Sequence, residues 1–264
     1  MDLNKKRTDA VNAARAAGKM LTEQPRAKWV HKAENDFVTA MDSASEKLIR
    51  ELLLGANPED CFFGEEGGGN LSETRRWIVD PIDGTANYAK GDPLYTISIA
   101  YELEGEIVVG CVYCPSLDEM FTAVKGEGAF LNGKPIRVSE ERNPRESLLH
   151  MAFCHRNPKA NQIMLERIPK LCDTFSDLRR TGSAAYDLCA IAAGRCEGFC
   201  ELGLHIWDIA AGVVILREAG GCVSDWREGY DPLKTGRVAA SNTLLHETLC
   251  NILKVDKPED LDNL

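Results

Sequence analysis

The densest cluster of residues able to do chemistry is WIVDPIDGTANY, residues 77 to 88. An apolar run ends on Asp80, Pro81 turns the chain, Asp83 follows three residues later, and Gly84 and Thr85 open the next segment. Two carboxylates so spaced across a turn can converge on one point. Like charges held that close are unfavourable unless protonated or bridged by a cation, and an oxygen-only donor set suits magnesium. If Gly84 and Thr85 begin a helix, their backbone N–H groups can hold a phosphate at the same spot. The same letters also spell an ordinary strand-to-helix turn, because Asp, Pro and Gly are the commonest turn residues.

Other acidic residues stand where they could join such a site. CFFGEEGGGN places Glu65 and Glu66 directly after a short apolar strand. Adjacent carboxylates point to different sides, so one joins a metal site at most, and Glu65, the first off the strand, is the choice. In NDFVTAMD, Asp36 and Thr39 precede a helix, where capping is the competing role. Asp208 in HIWDIAAG sits at a helix start, where an N-cap role competes with metal binding; a hard, oxygen-rich set does not call for the nearby His205.

The elements that must position these residues are legible in outline. Leu3, Ala10, Val11, Ala14, Ala17, Met20 and Leu21 recur at helical spacing, predicting an amphipathic first helix. A second is expected from about Asp42, with Ser43 and Glu46 as a capping box, ending at Gly55. From Trp77 to about Val138 the texture is β-rich, with an Asn132-Gly133 hairpin, and predicts an antiparallel sheet. After Pro144, strands near SLLHMAF, DLRRT, GFCELG and GCVSDW alternate with helices near NQIMLERIPKL, SAAYDLCAIAA and WDIAAGVVILREA. The expected class is α+β, two sheets interleaved with helix pairs, as one domain over residues 1–264 with a seam near residue 140.

Composition narrows the function. A chain of 264 residues, 44% hydrophobic and 27% charged, can bury a core without disulfides, so its ten cysteines are expected as reduced thiols; the C-x-x-C of Cys111 and Cys114 falls in a strand with no second pair. No apolar run reaches a membrane-spanning length and no secretory apolar stretch stands at the start, which together predict a cytoplasmic protein without a membrane partner. A net charge of −10 disfavours nucleic acid as a partner, and none is expected.

Taken in order, NDFVTAMD, GEE, WIVDPIDGTANY, GSAAYDL and WDIAAG span nearly the whole chain and resemble the inositol monophosphatase family of lithium-sensitive, metal-dependent phosphatases. The resemblance implies a layered αβαβα sandwich of the inositol monophosphatase / fructose-1,6-bisphosphatase type, with residues 1–140 binding metal and 141–264 binding substrate. It implies two to three Mg2+ ions: one held by Glu65, Asp80 and the carbonyl of Ile82, a second by Asp80, Asp83 and Asp208, a third more loosely through Glu65. By the same likeness Asp36 and Thr85 activate the attacking water, and Asp83, Gly84 and Thr85 contact the phosphate end. Gly182, Ser183 and Ala184 would lie against the substrate ring, with Glu201 accepting from a ring hydroxyl. A homodimer acting on a small phosphorylated polyol or sugar is implied, most simply myo-inositol monophosphate.

Rival functions share most of these residues. Fructose-1,6-bisphosphatase, histidinol-phosphatase and NADP or nucleotide phosphatase activities stay open within the resemblance, although Asn87 in DGTAN departs from the DGTKEF of phosphoadenosine phosphatases. A regulatory binding protein on this fold is the alternative class, since some bacterial members are associated with transcription machinery. The completeness of the acidic set favours catalysis.

Overall fold

The computed structural model describes residues 2–23, 30–33, 36–69, 73–154, 156–255 and 257–262, with backbone alone for 30–33, 36–38 and 258. The first helix, α1 (Leu3–Glu23), buries Ala10, Ala13, Ala14, Ala17 and Leu21, the face that helical spacing predicts. Strands β1 (Val30–Ala33) and β2 (Asp36–Val38) pair antiparallel and lead into α2 (Ala40–Ala56). This helix starts earlier than expected, and its cap is another pair. Thr39 is the N-cap, and its backbone N–H and hydroxyl both donate to Asp42 Oδ2 (2.8 and 2.6 Å). Glu46 instead accepts from the backbone N–H groups of Glu66 and Gly67 (2.8 Å each), anchoring the acidic loop to the helix.

Seven strands form the large sheet, adjacent in space as in sequence: β3 (Cys61–Gly64), β4 (Arg75–Asp83), β5 (Thr96–Leu103), β6 (Glu106–Cys114), β7 (Glu119–Val124), β8 (Ala129–Leu131) and β9 (Lys134–Ile136). The short α3 (Thr85–Lys90) leaves β4 at its end. All pairings are antiparallel except β3 with β4, which is parallel. The second sheet contains β10 (Leu148–Met151), β11 (Asp177–Arg179), β12 (Gly198–Glu201), β13 (Cys222–Ser224) and β14 (Val238–Ser241), in the order β11-β10-β12-β14-β13. Between these strands run α4 (Pro158–Thr174), α5 (Ala184–Ala192), α6 (Ile206–Glu218) and α7 (Pro232–Thr235), and α8 (His246–Leu253) follows.

Three cores define five layers. Beneath the large sheet, α1 and α2 pack Ala14, Ile49 and Leu53 against Trp77, Ile99 and Val109. Between the sheets, α5 and α6 are mostly apolar apart from Asp187 and Asp208; every residue from Asp208 to Leu216 is buried, as a helix enclosed on all sides requires. Outside the small sheet, α4 and α8 bury Met164 and Leu249 against Leu149 and Ala239. The result is the αβαβα sandwich.

One polar cluster ties the first layer down. Asp60 is enclosed between α1 and the sheet. There Lys6 Nζ bonds it, Tyr101 OH donates to it (2.9 Å), Arg75 Nη2 reaches it (3.3 Å), and the Lys6 ammonium lies over the Tyr101 ring (4.8 Å). Among the described residues, no helix is long and apolar enough to cross a membrane.

Candidate active site

Alternation along a regular strand would send Asp80 and Asp83 to opposite faces. The structure avoids this without the turn that Pro81 predicts, since β4 continues through Pro81. Asp80 pairs with Ser98 and Asp83 with Thr96, so one extra residue bulges out of β4 and returns Asp83 to the Asp80 side. Pro81, which has no N–H to give the ladder, is accommodated at that irregularity. Gly84 then takes φ +90 as the N-cap of α3, and a Cβ there would press on the Gly182 and Leu94 carbonyls at 3.1 Å. Only a glycine turns the chain so tightly here.

A cavity of about 210 Å³ opens at this point, walled by Glu65, Asp80, Asp83, Thr85, Glu201 and Asp208. Glu65 arrives from the end of β3, where its N–H donates to Val79 O on β4 (3.1 Å). Asp208 arrives from the first turn of α6, its Oδ2 accepting the His205 N–H (2.7 Å). Asp208 thus caps the helix and lines the cavity at once. The Ile82 carbonyl, also in the wall, lies 3.0 Å from Thr85 Oγ1, whose single hydrogen can go either to it or to Asp42.

The electrostatics are those of crowded acids. Burial, then the charges of Glu65, Asp83 and Asp208, push the Asp80 carboxyl well above the ordinary range. Asp83 is pushed up to about 7 by burial and by Asp208, against the opposing hydrogen bonds of Ser183 and Ala185. Glu201 is also raised by burial, then Asp208, Asp187 and Asp83, with Arg180 opposing. Among the described residues, no three acidic, His or Cys side chains are already drawn to ligand distance around one point. An all-oxygen set of carboxylates that destabilise one another fits a hard divalent cation.

Thr85 meets an acid that the sequence reading did not single out. Its Oγ1 is 3.0 Å from Asp42 Oδ1, and burial raises the Asp42 carboxyl. Asp36 lies in β2, and its side chain is outside the described residues. Asp42 was missed because its partner stands 43 positions away and no local signal separates it from a capping residue.

The expected substrate contacts divide. Gly182, Ser183, Ala184 and Glu201 all line the cavity, but the Ser183 hydroxyl is committed to Asp83 Oδ2 (2.6 Å) and the Ala185 N–H donates to the same oxygen (2.8 Å). Ser183 thus orients an acid. Two further residues escaped sequence reasoning. Arg180 lines the cavity, and Asn87 Nδ2 donates to the Leu94 and Thr181 carbonyls (2.6 and 2.8 Å), clipping the loop that carries Arg180.

The profile of the inositol monophosphatase family matches residues 2–255. A Vibrio cholerae protein named Nus factor SuhB is 40% identical over 240 residues, 88% of this chain and 90% of that protein. Among solved structures, extragenic suppressor protein suhB from Bartonella henselae superposes with a TM-score of 0.89 at 37% identity, covering 95% of this chain and 98% of the other. Inositol monophosphatase from Anabaena (Nostoc) gives 0.86 at 35% identity, covering 96% of each. The name Nus factor is transcription-related, and it overturns the expectation that nucleic acid is no partner. Net charge is a sum over the whole chain and does not by itself exclude such a partner. With this profile, these relatives and this fold, the chain belongs to the inositol monophosphatase family.

Proposed function

We propose that this protein hydrolyses small phosphate monoesters, myo-inositol monophosphate foremost, with magnesium held by Glu65, Asp80, Asp83, Asp208 and the Ile82 carbonyl. The observation that carries the reading is the convergence of mutually repelling carboxylates beside a hydroxyl–carboxylate pair, Thr85 and Asp42. When bound, the cations lower the pKa of water and offset charge on the phosphate oxygens. Thr85 Oγ1 donates to Asp42, which leaves its lone pairs to accept a proton from the attacking water and relay it to that carboxylate. The Gly84 and Thr85 N–H groups, at the start of α3, bind phosphate oxygens. Ser183 and the Ala185 N–H fix the angle of Asp83. Glu201 and Arg180 face the alcohol half, Glu201 accepting from a hydroxyl.

An adjoining cavity of about 680 Å³, walled by His205, Trp207 and Lys234 among others, shares Cys154, Arg156, Gly203 and Leu204 with the first. Larger alcohols therefore belong in the test. Phosphate release should be measured from inositol 1-phosphate, fructose 1,6-bisphosphate, histidinol phosphate, phosphoadenosine phosphate and NADP, with magnesium or EDTA. The expected result is one dominant substrate, no turnover in EDTA, and a kcat about 100-fold lower in Asp42→Asn. No turnover on any substrate with magnesium would refute the enzyme reading.

The relatives' name supports a second reading, a binding role in transcription. Such a role, if independent of catalysis, would survive in the Asp42→Asn variant as retained association with transcription complexes.

A further inference from the structure

We propose that His150 and Asp187, neither of which lines the cavity, are positioning residues that set the reach of Arg180 into it. The inference rests on the phosphatase reading and adds a device behind the site. His150 stands on β10 directly across from Arg179, the last residue of β11, and the chain then passes through Arg180, Thr181 and Gly182 to the N-cap of α5 at Ser183. Asp187, one turn into α5, is 1% exposed. Its Oδ1 accepts from the Thr181 hydroxyl (2.8 Å) and from His150 Nδ1 (2.6 Å), while Oδ2 is buried with no hydrogen-bond partner among the described residues. A carboxylate only accepts, so Nδ1 carries the hydrogen.

Thr181 is consequently held twice: its carbonyl by Asn87 from the first half of the chain, its hydroxyl by Asp187. Gly182 reverses the chain at φ +87 immediately after. Arg180 is the neighbour of this doubly fixed residue, and its charge faces both Asp187 and Glu201. Burial alone would drive Asp187 toward its neutral form. The His150 and Thr181 donors and the Arg180 charge oppose that, while the Asp187 charge is felt in turn by Glu201 and Asp83. Without His150, Asp187 loses the donor that holds it in place, and Thr181 with Arg180 loses its seat.

The test uses the full chain with magnesium and myo-inositol 1-phosphate. Thr181→Val removes the hydroxyl, with its bond to Asp187 and the longer one it accepts from the Ser183 N–H (3.3 Å); His150→Leu removes the ring donor; His150→Asn returns an N–H near the place of Nδ1. The first two are expected to raise KM about tenfold with kcat within about threefold, and His150→Asn to restore KM to within about threefold. Arg180→Gln is the reference, and adding Thr181→Val to it should raise KM no further, because both act through one contact. If His150→Leu does not fold, Thr181→Val carries the test. An unchanged KM in Thr181→Val, or effects that multiply with Arg180→Gln, would overturn the proposal while wild-type turnover leaves the phosphatase reading standing. No wild-type turnover would remove both.

Discussion

Two places in this molecule bury carboxylates equally well and surround them oppositely. Asp60, under α1, is met by Lys6, Arg75 and Tyr101. Asp80, 2% exposed at the end of β4, has Glu65, Asp83 and Asp208 as the charges that act on it. The first cluster is complete as folded, and its work is to fasten a helix to a sheet. The second is left short of positive charge, and that shortage marks it as a place where something must bind. Burial alone distinguishes nothing here; the company of the buried charge does.

The comparison can be broken at either end. The largest effect is expected from Asp83→Asn: kcat for phosphate release should fall by about 1,000-fold, as when an electrostatic group is lost from other sites. Thermal unfolding in EDTA should nevertheless show a Tm equal to or above that of the parent, since one of several repelling charges is gone. A much lower Tm would mean that the acids are not in conflict.

Asp60→Asn should do the reverse. It strands the Lys6 ammonium in the core and is expected to cost about 3–5 kcal/mol in denaturant unfolding, with kcat and KM unchanged.

The smallest effect concerns pH. Asp83 rises from 3.8 to about 7 on folding, so the folded, metal-free protein holds more protons than the unfolded chain between those values. Its stability should therefore fall as pH rises from about 4 to about 7. In EDTA, Tm at pH 8 is expected to lie on the order of 5 °C below that at pH 5, and magnesium should recover the difference. A Tm that rises over this window would contradict the raised carboxyl.

Features encoded by neighbours in sequence were legible. The alanine face of α1 and the Asn132-Gly133 hairpin carry their signals within a few residues, and both formed as expected. Where a local signal was shared by two outcomes, reasoning from it failed. Ser43 and Glu46 have capping-box spacing, but Thr39 and Asp42 form the cap and Glu46 serves a loop 20 residues on. Pro81 reads as a turn, yet a bulge inside the ladder absorbs it. The short β14, VAAS, has too little apolar character to announce a strand that joins β12 to β13 in the second sheet. Acids such as Glu65 and Asp80 stood out as types, whereas the pairings of Thr85 with Asp42, Asn87 with Thr181 and His150 with Asp187 exist only in the folded chain.

The bond from Ser183 to Asp83 spans 100 positions and joins the end of β4 to the start of α5. Closing so long a loop is an ordering cost met only once both halves have docked. A chain still emerging from the ribosome, with Asp208 not yet translated, already displays Asp80 and Asp83 but cannot assemble the pocket around them. The proposed cation site therefore cannot form before Asp208 has been made and both halves have folded together.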